Sequence, residues 1–97
     1  MTERVEDLTV TYTEDGIDTT KELDKVILSK GSWTTIIFRY QDWDRAKGAY
    51  GAEKYSIRRY QKRGGEYRQQ SKFNISSRAQ AEALVQALQG WLGGEEH

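Results

Sequence analysis

The chain predicts an α+β fold: a curved four-stranded antiparallel sheet followed by one C-terminal helix, in the order β-β-β-β-α. Three observations predict it. Trp33 to Gln41, WTTIIFRYQ, is rich in β-branched and aromatic residues, which suit a pleated, half-buried surface. Gly64-Gly65 separates two alternating runs and tolerates the positive φ that a tight hairpin turn needs. From Ser77 to Leu92, apolar residues recur at helical spacing.

The 97 residues suit one domain. A chain of this size buries roughly two thirds of its unfolded surface, enough for a small core without staples. At 36 % hydrophobic residues the core is thin, so exposed surface or tails are expected. The absence of cysteine excludes disulfides, thiolate zinc sites and thiol nucleophiles. No signal-peptide pattern and no long apolar run is present, so the expectation is a soluble, cytoplasmic protein without a membrane partner, nucleoid-associated if bacterial.

The net charge of zero hides a strong asymmetry. Residues 1–24 carry a net −6, residues 25–78 a net +9 and residues 79–97 a net −3. Such a split says more about partners than the total does. It also suggests three parts. These are an acidic N-terminal segment over 1–24, a folded domain over 25–92 and a flexible tail over 93–97.

Taken in order, Leu8 to Tyr12 alternates, Asp15-Gly16 is a turn signal, and Ile17 to Thr20 could return as the second leg of a short hairpin. Few large apolar residues occur here, so the segment reads equally as disordered. Asp24 to Lys30, DKVILSK, is the first strand of the domain, closed by a Gly31-Ser32 turn. Trp33 to Gln41 is the second. It is partly apolar on both sides, which makes it central. Asp42 to Ala52, DWDRAKGAYGA, reads as a long loop holding Trp43 and Tyr50, with Arg45 and Lys47 beside Trp43. The third strand runs from about Glu53 to Arg63 and the fourth from Glu66 to Ile75, with Phe73 and Ile75 assigned to the core. Ser77 and Gln80 have capping-box spacing. Ala81, Leu84, Val85, Leu88, Trp91 and Leu92 form the helix stripe, and Gly93-Gly94 ends it.

The hairpin from Lys54 to Lys72 carries the functional signal. Alternation puts Lys54, Ser56, Arg58, Tyr60 and Lys62 on one side of its first strand, a face expected to be wet, cationic and free of aliphatic residues. Interleaved cations and aromatic rings suit a polyanion whose bases can stack. No catalytic constellation accompanies them. His97 is the single histidine, Asp42 and Asp44 lack carboxylate partners, and Gly48-Ala49-Tyr50-Gly51 lacks the ending of a phosphate loop. The chain therefore reads as a binding protein with no cofactor or metal, not as an enzyme.

Three stretches, GSWTTIIFRYQDW (Gly31 to Trp43), YSIRRY (Tyr55 to Tyr60) and KFNISSRAQAEALVQAL (Lys72 to Leu88), carry a resemblance. Residues 25–92 resemble the positive cofactor four family of transcriptional coactivators, small proteins that bind single-stranded DNA. The resemblance implies a homodimer whose paired curved sheets hold single strands by cationic and aromatic contacts. It implies Trp43 as the loop aromatic, Arg45 and Lys47 as loop cations, and Arg58 and Lys72 as strand cations. The family's stacking tryptophan falls at Gln61, which leaves stacking to Tyr60 or Trp33. Trp33, Arg39, Lys54 and Lys62 complete the set of expected nucleic-acid contacts. The expected partner is single-stranded DNA, with RNA as the alternative.

Two other readings compete. The same hairpin-then-helix order resembles the arm-binding domain of tyrosine recombinases, a duplex-DNA-binding sheet module. A structural dimer with merely solvated charges is the other. The acidic residues 1–24 invite a further hypothesis, that they lie over the basic face and compete with nucleic acid. The bland counterpart is a solubilising tail.

Overall fold

Alternating β-formers over residues 33–44 build the centre of the molecule. In a computed structural model, which describes residues 4–94, the strand β3 (Trp33–Asp44) is flanked by β2 (Ile17–Ser29) and β5 (Lys54–Arg63). β1 (Tyr12–Glu14) lies outside β2, β6 (Glu66–Ile75) lies outside β5, and β4 (Ala49–Tyr50) pairs with the end of β3. All pairings are antiparallel, and the order is β1-β2-β3-β5-β6. The helix α1 (Arg78–Gly94) follows β6. The fold is thus an antiparallel sheet with a C-terminal helix, as the sequence predicts, but with six strands rather than four among the described residues.

Besides β1, which pairs with the start of β2, the sheet departs from the expected four strands in two places, each with a local cause. Residues 17–24 join the expected first strand as one ribbon because β3 runs on to Asp44 and offers a backbone ladder. Lys21 pairs with Gln41 and Thr20 with Asp42. Hydrogen bonds rather than burial hold this extension, so hydrophobic patterning does not reveal it. The expected loop over 42–52 is instead a short hairpin in which Trp43 faces Tyr50 and Asp44 faces Ala49. Asp44 Oδ1 accepts the backbone N–H groups of Ala46 and Lys47 at 3.0 and 3.2 Å, which turns the chain in four residues. At the other hairpin, φ values of 59° and 83° at Gly64 and Gly65 are those of the tight turn the glycine pair predicts.

The sheet has two unlike faces. On the inner one, Ile36, Phe38 and Tyr40 from β3 and Tyr60 from β5 are buried with Val5, Leu8 and Val10, which cross over them. This overturns the expectation of a wet face for Ser56 and Tyr60. Ser56 is fully buried and Tyr60 only 5 % exposed, because Ser56 stands opposite Phe38 and bonds to Asn74, while Tyr60 packs in the cluster that Val5, Leu8 and Val10 close. On the outer face Val26, Ile37, Ile57 and Phe73 fall in register as one row across β2, β3, β5 and β6.

The helix covers little of that row. Ser77 Oγ accepts the Gln80 N–H at 3.1 Å, and Gln80 Oε1 accepts the Ser76 N–H at 3.0 Å, a reciprocal cap shifted one residue from the ideal box. Ala81 and Leu84 are half-buried, whereas Val85, Leu88, Trp91 and Leu92 on the same stripe are exposed. Ile75 at the helix end of the sheet is 2 % exposed, but Phe73, also assigned to the core from sequence, is 53 % exposed. The extents, 53 × 39 × 17 Å, are those of a slab about one covered sheet thick.

Candidate nucleic-acid interface

Pairing of β5 with β6 decides which cations meet. Arg58 stands opposite Lys72, Lys62 opposite Tyr67, and Ser56 opposite Asn74. A bulge between Arg59 and Tyr60 shifts the register, so that Tyr60 faces Gln69. Alternation then places Lys54, Arg58, Tyr60, Lys62, Tyr67, Gln69, Lys72 and Asn74 on the inner face.

The cations there are held differently. Arg58 Nε donates to Ser56 Oγ at 3.3 Å and its Nη1 to Gln69 Oε1 at 3.1 Å, while Ser56 Oγ donates to Asn74 Oδ1 at 2.8 Å. A neutral network thus fixes the guanidinium and leaves its charge uncompensated. Lys62 Nζ lies 5.5 Å from the centre of the Tyr67 ring. Among the described residues, neither Arg58, Lys62 nor Lys72 has an ion-pair partner. Lys54 differs: its Nζ donates to Asp42 Oδ2 at 3.0 Å, and this bond and the carboxylate charge raise the ammonium's pKa. Burial pushes the Tyr60 phenol above its usual value, with the charge and hydrogen bond of Arg58 acting in the opposite direction.

The remaining sequence candidates lie elsewhere. Trp33 is on the outer face, with the Arg59 guanidinium 4.6 Å from its ring centre. Arg39 shares that face and pairs with Glu53 at 3.3 Å. Trp43, Arg45 and Lys47 belong to the β3–β4 hairpin. Trp43 packs edge-to-face on Tyr50 with centroids 5.0 Å apart, and Arg45 pairs with Glu14 of β1 at 3.0 Å. The ten candidates therefore form three groups: Lys54, Arg58, Tyr60, Lys62 and Lys72 together, Trp33 and Arg39 behind them, and Trp43, Arg45 and Lys47 at the hairpin.

Three further members of the inner face, Tyr67, Gln69 and Lys25, lie outside the ten candidates, although Tyr67 is one of the rings interleaved with the basic residues in the sequence. Tyr67 was within reach, since a two-residue turn at Gly64-Gly65 sets Lys62 opposite it. Gln69 follows only from the bulge, which carries no sequence signal. Lys25, on β2, reads as an ordinary surface cation. Its Nζ instead donates to the backbone carbonyls of Glu6 at 2.5 Å and Leu8 at 2.7 Å.

Among the described residues no cluster of three or more His, Cys, Asp or Glu side chains could hold a metal, and no helix is long and apolar enough to cross a membrane. Comparison of the chain with protein-family models, curated proteins and solved structures finds no match.

Proposed function

We propose that the chain binds single-stranded nucleic acid along the inner face of β5 and β6, with little sequence preference. One observation carries this reading: Arg58, Lys62 and Lys72 share a face with Tyr67, and among the described residues no carboxylate pairs with them. Cations spaced along a strand track phosphates, and a neighbouring ring offers a base something to stack on. The resemblance of residues 31–43, 55–60 and 72–88 to the positive cofactor four family points the same way and implies a role in transcription.

The partner reading includes a second copy of the chain. The row Val26, Ile37, Ile57 and Phe73 and the stripe Val85, Leu88, Trp91 and Leu92 are two separate apolar surfaces. Most of these side chains are exposed. A two-fold pairing lets the ridge of one copy cover the flat row of the other. The groove between them is lined by two ion pairs, Arg39 with Glu53 at 3.3 Å and Arg78 with Glu82 at 3.9 Å, so its charges are balanced within one copy.

Fluorescence anisotropy of a labelled oligothymidine tests the binding reading. The label belongs on the nucleic acid, because Trp33 and Trp43 lie off the inner face and Trp91 is on the helix. Binding at low salt should weaken with a log–log slope of about −2, from three cations at about 0.7 each. No anisotropy change at low salt sinks the reading. Preference for duplex supports the recombinase-like alternative, and salt-insensitive or absent binding supports a purely structural dimer.

A further inference from the structure

Building on the nucleic-acid reading, we propose that residues 4–11 form a displaceable strap that competes with unpaired bases for the rings of the inner face, with Lys25 as its latch. The strap joins no strand ladder. It is a 3-10 turn over Val5–Asp7 followed by extended chain. Val5, Leu8 and Val10 pack down onto the cluster of Ile36, Phe38, Tyr40 and Tyr60. Beneath the strap lie three aromatic rings on the face that also carries Arg58 and Lys72.

Among the described residues, four hydrogen bonds tie strap to sheet. Two come from the Lys25 ammonium to the carbonyls of Glu6 and Leu8. Thr9 Oγ1 donates to Glu22 Oε1 at 2.6 Å, and the Glu22 N–H donates to Thr11 Oγ1 at 3.1 Å. Half of the polar attachment therefore rests on one amine. A segment held by side chains, outside any ladder, opens more readily than a paired strand. Its occupancy also resembles that of the ligand it excludes. It lays apolar side chains on the rings where bases would stack, and Glu6 and Asp7 stay exposed to solvent as negative charges.

The test compares the full chain with its Lys25→Ala and Leu8→Asp variants, using labelled oligothymidine and an abasic deoxyribose-phosphate strand of equal length. The strap blocks bases, so Lys25→Ala should tighten oligothymidine binding at least about tenfold, the factor expected for losing hydrogen bonds from a charged donor. Abasic binding should stay within about twofold. Leu8→Asp should act in the same direction. If it does not fold by circular dichroism, Lys25→Ala and hydrogen exchange decide. In the unaltered protein, saturation with oligothymidine should speed exchange at residues 5–11. Weaker binding of both strands by Lys25→Ala makes Lys25 a plain phosphate contact and overturns the strap. Unchanged affinity, or slowed exchange at 5–11, does so too, and both leave the binding reading standing. Absence of binding by every chain removes the binding reading and the strap together.

Discussion

Arg58 and Lys72 face each other directly across the β5–β6 ladder, with like charges on one surface and, among the described residues, no acid paired with either. Like charges directly opposite in an antiparallel pair are destabilising, typically by a few tenths to about 1 kcal/mol. The Ser56–Asn74 and Gln69 contacts orient Arg58 without offsetting that repulsion. A bound phosphate would offset it.

Stability and binding should therefore part company at this pair. Lys72→Glu converts repulsion into attraction and should stabilise the fold by about 0.2–1 kcal/mol. The same change should weaken oligothymidine binding at least tenfold, since a cation becomes an acid facing phosphate. Thermal melting and anisotropy on one sample check both. Higher Tm with unchanged affinity would separate the pair from nucleic acid.

Much of the fold could be read from the chain, for reasons tied to particular residues. The β-branched run from Trp33 and the Gly64-Gly65 turn mark their elements without help from distant contacts, as do Ser77 with Gln80 and the leucine spacing of the helix. What escaped is which side of the sheet is closed. Alternation sorts Lys54, Ser56, Arg58, Tyr60 and Lys62 onto one side, but the cover comes from Val5, Leu8 and Val10, in a short acidic stretch too poor in large apolar residues to announce a core. Register between β3 and β5 has no sequence signal either, and only the pairing separates Trp33 and Arg39 from Arg58 and Lys72.

That separation has its own consequence. Trp33→Ala removes the ring under the Arg59 guanidinium and should lower stability by about 0.5–1 kcal/mol from that contact. Affinity for oligothymidine should stay within about twofold, because the ring is on the other face. A large loss of affinity in a folded variant would mean that the nucleic acid follows the outer surface instead.

Alkaline pH should expose the burial of Tyr60. Its folded pKa is raised above the usual value of 10.0, so the neutral phenol is favoured by folding. The contribution is fully present below the unfolded pKa and is lost as pH rises through the folded one. Lys54, also raised by Asp42, loses its contribution in the same direction. Tyr60→Phe should flatten the decline in denaturation midpoint above pH about 10, and any slope that remains reports Lys54 and the other groups titrating there. An unchanged slope in Tyr60→Phe would show that the phenol ionises no less easily in the folded protein.

The helix stripe gives the sharpest separation between self-association and fold. Trp91 is 71 % exposed near the end of α1, and Ala81 and Leu84 are the stripe residues that approach the sheet. Replacing Trp91 with glutamate removes a large apolar ring without touching the inner core of Ile36, Phe38, Tyr40 and Tyr60. If copies pair through stripe and row, Trp91→Glu should raise the dimer dissociation constant at least about thirtyfold, since buried aromatics at interfaces commonly contribute about 2 kcal/mol or more. The Tm of the resulting monomer should stay within a few degrees of the monomeric protein at high dilution, because the lost contact is intermolecular. Light scattering over a dilution series, with melting curves beside it, reads both quantities. An unaltered protein that is already monomeric at high concentration would leave the stripe without its second copy, and Trp91→Glu would then change neither measurement.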